Sequence, residues 1–259
     1  MPLNFAATND VIHSLDRGVL SVTINREAKR NPLSLGVLQE LRQVFASAAN
    51  DGSIALAILT GAGEKAFASG GDLRELAAYR DPADASAFSL HGKAALDAIR
   101  NFPVPVVARL NGVALGGGAE LALACDMRFS APSAKIGFIH GKLAIAPSWG
   151  GGNDLVRLIG PSKALRLMTS ARILGADEAR TLGLIDAVCD HCYFDDWFEG
   201  LIEPLRGRPV QVMRAYKSIA ASGGLERAEA DRRETEHFAE VWSHQDHWDA
   251  VAILERKSA

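Results

Sequence analysis

The alternation of apolar and polar positions gives the first structural signal near the start of the chain. Residues 17–25, with the sequence RGVLSVTIN, alternate and therefore predict a β-strand. Residues 54–60, IALAILT, form a continuous apolar run, which is typical of a strand buried on both faces. Between the two strands, residues 35–49 predict a helix that Ser34 caps. The apolar positions of this helix share one face: Leu38, Leu41, Phe45 and Ala48.

Strands and helices continue to alternate as far as about residue 190. A helix is predicted over 84–100, and two prolines separate it from a short strand at 106–110. Glycine-rich turns at 116–118 and 150–152 each open a further helix. This alternation is typical of an α/β fold.

The character of the chain changes in its last quarter. From residue 193 onward the pattern is almost entirely helical, with breaks at 206–209 and 222–224. We therefore expect an α/β core over residues 1–200 and a helical C-terminal region over residues 201–259.

Composition narrows the class of protein. The chain has 259 residues, 48% of them hydrophobic and 23% charged, so it is long and apolar enough to bury a sizeable core. The net charge of −3, without a Lys/Arg block, gives no support to a nucleic-acid or anionic-membrane surface. No secretory signal and no membrane-spanning run is recognisable. Only three cysteines occur, which fits a reducing compartment, and we expect a cytoplasmic protein.

Two glycine-rich segments carry the candidate chemistry: KAFASGGDL at 65–73 and NGVALGGGAELALACD at 111–126. Each places glycine directly before a helix, where the first N–H groups have no intrahelical partner. Two such N–H groups that converge would form an oxyanion hole, and Glu120 would place a carboxyl beside it. Tight packing of a strand against a helix also explains such glycine runs, and the residues alone leave both explanations open.

These segments resemble the crotonase (enoyl-CoA hydratase/isomerase) superfamily. The resemblance extends from about Val19 to the C-terminus and rests on VTINREAKRNPLS, AFASGGD, NGVALGGGAELALACD, KIGF…APSWGG and ADEARTLGLIDAV. It implies an α/β fold built as a spiral of ββα turns, with a helical C-terminal region that assembles trimers or pairs of trimers. It also implies an acyl-CoA substrate that brings its own coenzyme A, and neither a resident cofactor nor a metal.

The resemblance assigns roles to individual residues. Gly71 and Gly117 would supply the oxyanion-hole N–H groups, and Glu120 would be the first catalytic glutamate. Backbone around Lys65, Ala66 and Ala68 would line the adenine end of CoA.

Cys189 and Cys192 have no second ligand pair at suitable spacing, so zinc is not predicted there.

One position departs from the hydratase pattern. Hydratases of this superfamily carry a second glutamate seven residues before the proline of a PGAGG-like turn, and here that position is His140, before Pro147. Trp149 also replaces a small residue, and it would either line the acyl pocket or fill core. The sequence FIHGKLAIAPSWGG resembles the ethylmalonyl-CoA decarboxylase-like branch instead.

The departure has a chemical interpretation. Hydration of an enoyl thioester needs water activation and proton delivery, which two carboxylates can share. Decarboxylation needs no base, and a second carboxylate would repel the carboxylate of the substrate, whereas His140 would not. We therefore favour decarboxylation of a short 2-carboxyacyl-CoA of the methyl- or ethylmalonyl type. A hydratase or isomerase that uses Glu120 alone, and a CoA-thioester-binding protein with little catalysis, remain as alternatives.

Overall fold

The apolar runs form two β-sheets in the computed structural model, which describes residues 9–76, 79, 81–190 and 193–258. In chain order the strands are β1 (Val11–Asp16), β2 (Val19–Ile24), β3 (Leu56–Gly61), β4 (Ala66–Ala68), β5 (Val106–Leu110), β6 (Val113–Leu115), β7 (Met127–Ser130), β8 (Lys135–Gly137), β9 (Leu174–Gly175) and β10 (Ala187–Val188).

The larger sheet has the order β1-β2-β3-β5-β7-β10, and the smaller has the order β4-β6-β8-β9. Strands β2, β3, β5, β7 and β10 are parallel, while β1 runs antiparallel to β2. The pairs β3–β4, β5–β6 and β7–β8 each contribute their first strand to the larger sheet and their second to the smaller one. This repeated step from one sheet to the other, followed by a helix, is the ββα spiral expected from the resemblance.

The helices are α1 (Leu35–Ala48), α2 (Leu73–Leu76), α3 (Pro82–Arg100), α4 (Gly117–Ala124), α5 (Gly151–Ile159), α6 (Pro161–Ser170), α7 (Ala176–Leu182), α8 (Phe194–Arg206), α9 (Val210–Ala221), α10 (Arg227–Ser243) and α11 (Gln245–Ser258). Short 3₁₀ turns lie at Glu27–Lys29, Ile139–Leu143 and Ser222–Gly224.

The long elements follow the sequence pattern closely. Ser34 caps α1 as predicted, because its hydroxyl accepts from the amide of Val37 at 3.2 Å. Strand β3 is buried on both faces, as its continuous apolar run requires. Helix α4 begins at Gly117, within the glycine-rich turn predicted at 116–118, and is buried along its whole length between β6 and α5.

The C-terminal helices include both buried and exposed apolar side chains. Phe198 and Met213 are buried and join α8 and α9 to the core. On α10 and α11, by contrast, Phe238, Trp242 and Trp248 are 60%, 47% and 46% exposed. Residue 200, the predicted end of the α/β core, lies inside α8.

No helix among the described residues is both long and apolar enough to cross a membrane.

Candidate active site

Glu120 lies in the first turn of α4, where its carboxyl group makes three hydrogen bonds. The amides of Trp149 and Gly151 donate to Oε2 at 3.0 and 2.9 Å. The Nε2 atom of His140 lies 3.1 Å from Oε1. Glu120 is only 1% exposed, and a buried carboxylate is tolerated because donors and the positive end of the helix dipole surround it.

These contacts give the two oxygens of the carboxyl group different hydrogen-bond partners. Backbone amides only donate, so Oε2 acts as an acceptor for Trp149 and Gly151. A proton carried by Glu120 therefore belongs on Oε1, on the side of His140. Glu120 and His140 thus form a dyad, joined by a hydrogen bond between Oε1 and Nε2.

His140 is held in the short 3₁₀ turn Ile139–Leu143 and is 8% exposed. The sequence predicts that this side chain faces the acyl group, and the structure places it on the wall of the same cavity as Glu120. Its Nδ1 atom is buried and has no hydrogen-bond partner among the described residues. The contact between His140 and Glu120 was not predicted, because nothing in a spacing of 20 residues indicates it.

The turn that donates to Glu120 is itself held by Arg100, at the end of α3. One Arg100 nitrogen donates to the carbonyl of Trp149 at 2.9 Å, and its Nε donates to Asp154 at 2.9 Å. Burial raises the pKa of Asp154, although the charge of Arg100 opposes this shift. Gly150, between the two donors, has φ = +92°, a conformation that glycine adopts without strain. Sequence reasoning missed Arg100, since no motif includes it.

We expect Arg100→Lys to lower turnover about tenfold while binding of acyl-CoA is retained. Lysine keeps the positive charge but cannot contact Trp149 and Asp154 at once, so the two amides that hold Glu120 become less well fixed. Looser positioning of Glu120 should lower kcat and leave KM nearly unchanged. Steady-state kinetics and thermal melts of the variant test this. A loss of stability without a loss of kcat would mean that Arg100 serves stability alone; Arg166→Lys, on the exposed side of α6, is the control.

Gly71 and Gly117, the predicted oxyanion-hole donors, line one cavity together with Glu120 and His140. Gly117 is the first residue of α4, so its N–H has no acceptor within the helix. The bridge between Leu33 and Gly71 uses the carbonyl of Gly70 and the amide of Asp72, which leaves the N–H of Gly71 outside that pairing. The donor role of both N–H groups stays a prediction.

The cavity has a volume of about 290 Å³ and walls that are mainly apolar. Among the described residues that line it, Glu120 is the one carboxylate. Its walls are formed by Ser69, Gly70, Gly71, Leu73, Leu76, Phe88, Gly116, Gly117, Glu120, Ile139, His140, Leu143, Ile145, Ala146, Ser148 and Trp149. Trp149 is 3% exposed and also lines this cavity, so packing in the core and lining the cavity do not exclude each other. Its contact with an acyl group stays a prediction.

Lys65, Ala66 and Ala68 lie apart from this cavity, at and just before β4. Ala66 and Ala68 are buried, and the Ala66 carbonyl accepts from the side-chain amides of both Asn31 and Asn111, at 2.7 and 3.1 Å. These two buried asparagines fix the loop that leads to Gly71, a role that the sequence analysis did not identify. Contact of this segment with CoA stays a prediction.

No group of three or more potential metal ligands occurs in the part of the chain that the structure describes. Cys189 is buried, whereas Cys192 lies outside the described residues. Burial raises the pKa of the Cys125 thiol to about 12, so this cysteine is not a reactive nucleophile.

Comparison with known proteins gives a consistent family. The family model for enoyl-CoA hydratase/isomerase matches residues 14–257. A short-chain-enoyl-CoA hydratase from Clostridium acetobutylicum is 32% identical over 251 residues, covering 96% of each chain. An ethylmalonyl-CoA decarboxylase from Xenopus tropicalis is 32% identical over 236 residues, covering 89% of this chain and 78% of the relative.

Solved structures agree with this result. The crystal structure of an enoyl-CoA hydratase from Bacillus anthracis superposes with a TM-score of 0.90 at 30% identity, covering 96% of both chains. The α/β spiral with its helical C-terminal region is therefore the crotonase fold. The chain belongs to the enoyl-CoA hydratase/isomerase family of the crotonase superfamily, and it is an acyl-CoA-processing enzyme of that family.

Proposed function

We propose that this enzyme decarboxylates a short 2-carboxyacyl-CoA, such as a methyl- or ethylmalonyl-type thioester. The observation that carries the proposal is that Glu120 is the single carboxylate on the described cavity wall. Its Oε2 accepts from the amides of Trp149 and Gly151, and its Oε1 lies within hydrogen-bonding distance of Nε2 of His140. A site with a single carboxyl group suits the delivery of a proton better than the activation of water by a carboxylate pair.

The reaction would balance as follows. The bond between the α-carbon and the carboxylate breaks, CO₂ leaves, and the electron pair forms an enolate on the thioester. The N–H groups of Gly71 and Gly117 would stabilise the enolate oxygen. The dyad of Glu120 and His140 would then return one proton to the α-carbon and recover it from solvent.

Hydration of an enoyl-CoA is the second candidate, because relatives named as hydratases match this chain over nearly its whole length. In that reaction Glu120 would have to exchange its contact with His140 for a water molecule. Protonation of the α-carbon from Oε1 would open the same contact, so this hydrogen bond does not distinguish the two reactions. Hydration alone also needs a group that activates the water, and the described cavity wall offers no second carboxylate for it.

Product analysis separates the two reactions. The enzyme is incubated with ethylmalonyl-CoA and, separately, with crotonyl-CoA, and the thioesters are identified by mass spectrometry. Loss of 44 Da from the first substrate, with little gain of 18 Da by the second, is the expected result, these masses being roughly those of CO₂ and water. Fast hydration of crotonyl-CoA without decarboxylation would overturn the proposal. Turnover of neither would favour the CoA-binding alternative.

We further propose that the region beyond residue 200 assembles a homotrimer or a pair of trimers. Support comes from the exposed Phe238, Trp242 and Trp248, because clustered aromatic side chains are typical of protein interfaces. Each interface should bury more than about 1,000 Å².

Trp242→Asp should therefore lower the molar mass in solution towards that of one chain, 27.6 kDa. A charge placed in an apolar interface is costly unless it finds a partner. Light scattering at micromolar concentration measures the result. Leu15→Asp, on β1, makes the same kind of change at a side chain that is also 47% exposed and should leave the assembly intact. A wild-type protein that is already monomeric would contradict the proposal.

A further inference from the structure

The indole ring of Trp149 is buried in a slot that is lined by glycines from three separate segments of the chain. A Cβ atom built on Gly92 of α3 would lie 2.3 Å from Nε1 of the ring. A Cβ on Gly117 of α4 would lie 2.3 Å from Cζ3, and one on Gly71 would lie 3.8 Å from Cη2. Neither Gly92 nor Gly117 can therefore carry a side chain while the indole occupies its place.

The close approach of this ring accounts for the glycine at position 92. Gly92 lies within the 19-residue helix α3, where glycine costs stability relative to alanine and neither caps the helix nor breaks it. A glycine in the interior of a helix indicates a packing requirement, and the close approach of Trp149 supplies it. Gly92 and Trp149 are thus a matched pair, 57 positions apart in sequence.

The orientation of the ring matters for the ligand. The polar edge of the indole, with Nε1, faces Gly92 and has no hydrogen-bond partner among the described residues. The hydrocarbon edge faces Gly117 and Gly71, the predicted oxyanion-hole donors. An acyl group whose thioester oxygen is held by those two N–H groups would therefore contact carbon atoms of Trp149.

The ring also closes the cavity towards α3. Phe88, one helical turn before Gly92, packs edge-on against the indole with ring centroids 5.8 Å apart. The carbonyl of Trp149 is fixed by Arg100, so its backbone is not free to withdraw. The remaining volume, about 290 Å³, lies just below the roughly 300–1,000 Å³ typical of ligand pockets.

We propose that the pair formed by Gly92 and Trp149 sets the depth of the acyl pocket and restricts this enzyme to short acyl groups. The proposal rests on the proposed function only in placing the acyl group beside Gly71 and Gly117. It holds for decarboxylation and for hydration alike, because it concerns the length of the acyl group and not its reaction.

Binding of saturated thioesters tests the pair without any reaction. Dissociation constants for butyryl-CoA and octanoyl-CoA are measured by calorimetry with wild type, Trp149→Ala, Gly92→Ala and the double variant. Wild type should prefer butyryl-CoA. Trp149→Ala should shift the ratio of the two affinities towards octanoyl-CoA by at least about tenfold, because it opens the pocket towards α3.

Gly92→Ala should weaken butyryl-CoA about tenfold in wild type, because the new methyl group pushes the indole into the cavity. The same substitution should have almost no effect once Trp149 is alanine, since nothing then occupies the slot. This loss of effect in the double variant is the signature of a matched pair. An unchanged affinity ratio in Trp149→Ala, or an equal effect of Gly92→Ala in both backgrounds, would overturn the proposal.

Trp149→Phe keeps the test decisive if the alanine variant does not fold. The smaller ring should tolerate alanine at position 92 and give an intermediate chain-length preference. A phenylalanine variant with wild-type preference would contradict the proposal. The two proposals can fail separately. If product analysis identifies hydration while Trp149→Ala still shifts the chain-length preference, decarboxylation is overturned and the role of the Gly92–Trp149 pair is not.

Discussion

Glu120→Gln is expected to lower turnover by at least about 10²-fold while leaving the affinity for an unreactive acyl-CoA within about twofold of wild type. The amide oxygen of glutamine can still accept from the amides of Trp149 and Gly151, so the turn at 149–151 keeps its place. The other side-chain atom becomes an NH₂ group, which cannot transfer a proton to carbon. Loss of the proposed proton donor, with little else changed, would separate the effect on chemistry from the effect on binding.

Glu40→Gln provides a matched control. Glu40 is also a buried carboxylate, 8% exposed, and it too accepts backbone hydrogen bonds, from the amides of Asn9 and Val11. It lies on α1 and does not line the cavity. Stopped-flow single turnovers and thermal melts of both variants should show similar losses of stability but a loss of turnover at position 120 alone. Wild-type turnover in Glu120→Gln would reject the assignment of Glu120 as the proton donor.

The sequence predicted the elements whose signal is local. The buried run of β3, the cap of α1 at Ser34 and the glycine at the start of α4 each depend on residues within one element. The periodicity of the sequence did not reveal the smaller sheet, because its strands have only two or three residues and show no regular pattern. Such short strands are stabilised by their position between other elements and not by their own sequence.

The site shows the same division between local and distant contacts. Glycine before a helix and an acid in its first turn form a local pattern that drew attention to these segments, and the family resemblance then singled out Glu120, Gly71 and Gly117 as candidates. Arg100 acts through the carbonyl of Trp149, 49 residues later in the chain. Asn31 and Asn111 meet at one carbonyl oxygen, on Ala66. Only the folded chain brings such pairs together, so periodicity and spacing cannot reveal them.

The sequence and the structure each contribute to the interpretation of His140. Its identity was singled out from the sequence, where a hydratase would have glutamate, while its contact with Glu120 emerged only from the structure. At this position a second carboxylate would lie within hydrogen-bonding distance of the first. Two carboxylates about 4 Å apart repel each other by about 4 kcal/mol at an effective dielectric constant near 20. The same repulsion would act on the carboxylate of a malonyl-type substrate.

His140→Glu should therefore weaken binding of a malonyl-type thioester by up to about 10³-fold, the factor to which about 4 kcal/mol corresponds. Binding of butyryl-CoA, which has no carboxylate in its acyl group, should change less than about threefold. The added carboxylate also restores the pair that hydration uses, so slight hydration of crotonyl-CoA should appear. Paired titrations of both ligands with wild type and variant measure the charge effect directly.

His140→Gln separates charge from shape, since glutamine has a length similar to glutamate and can still donate to Glu120. It should weaken the two ligands about equally and only slightly. Titrations at pH 8 and pH 5.5 add a second criterion, because two neighbouring carboxyl groups can share a proton at the lower pH and the repulsion should then shrink. Equal losses of the charged and uncharged ligands in His140→Glu would mean that position 140 matters for packing alone, and decarboxylation would lose its main physical support.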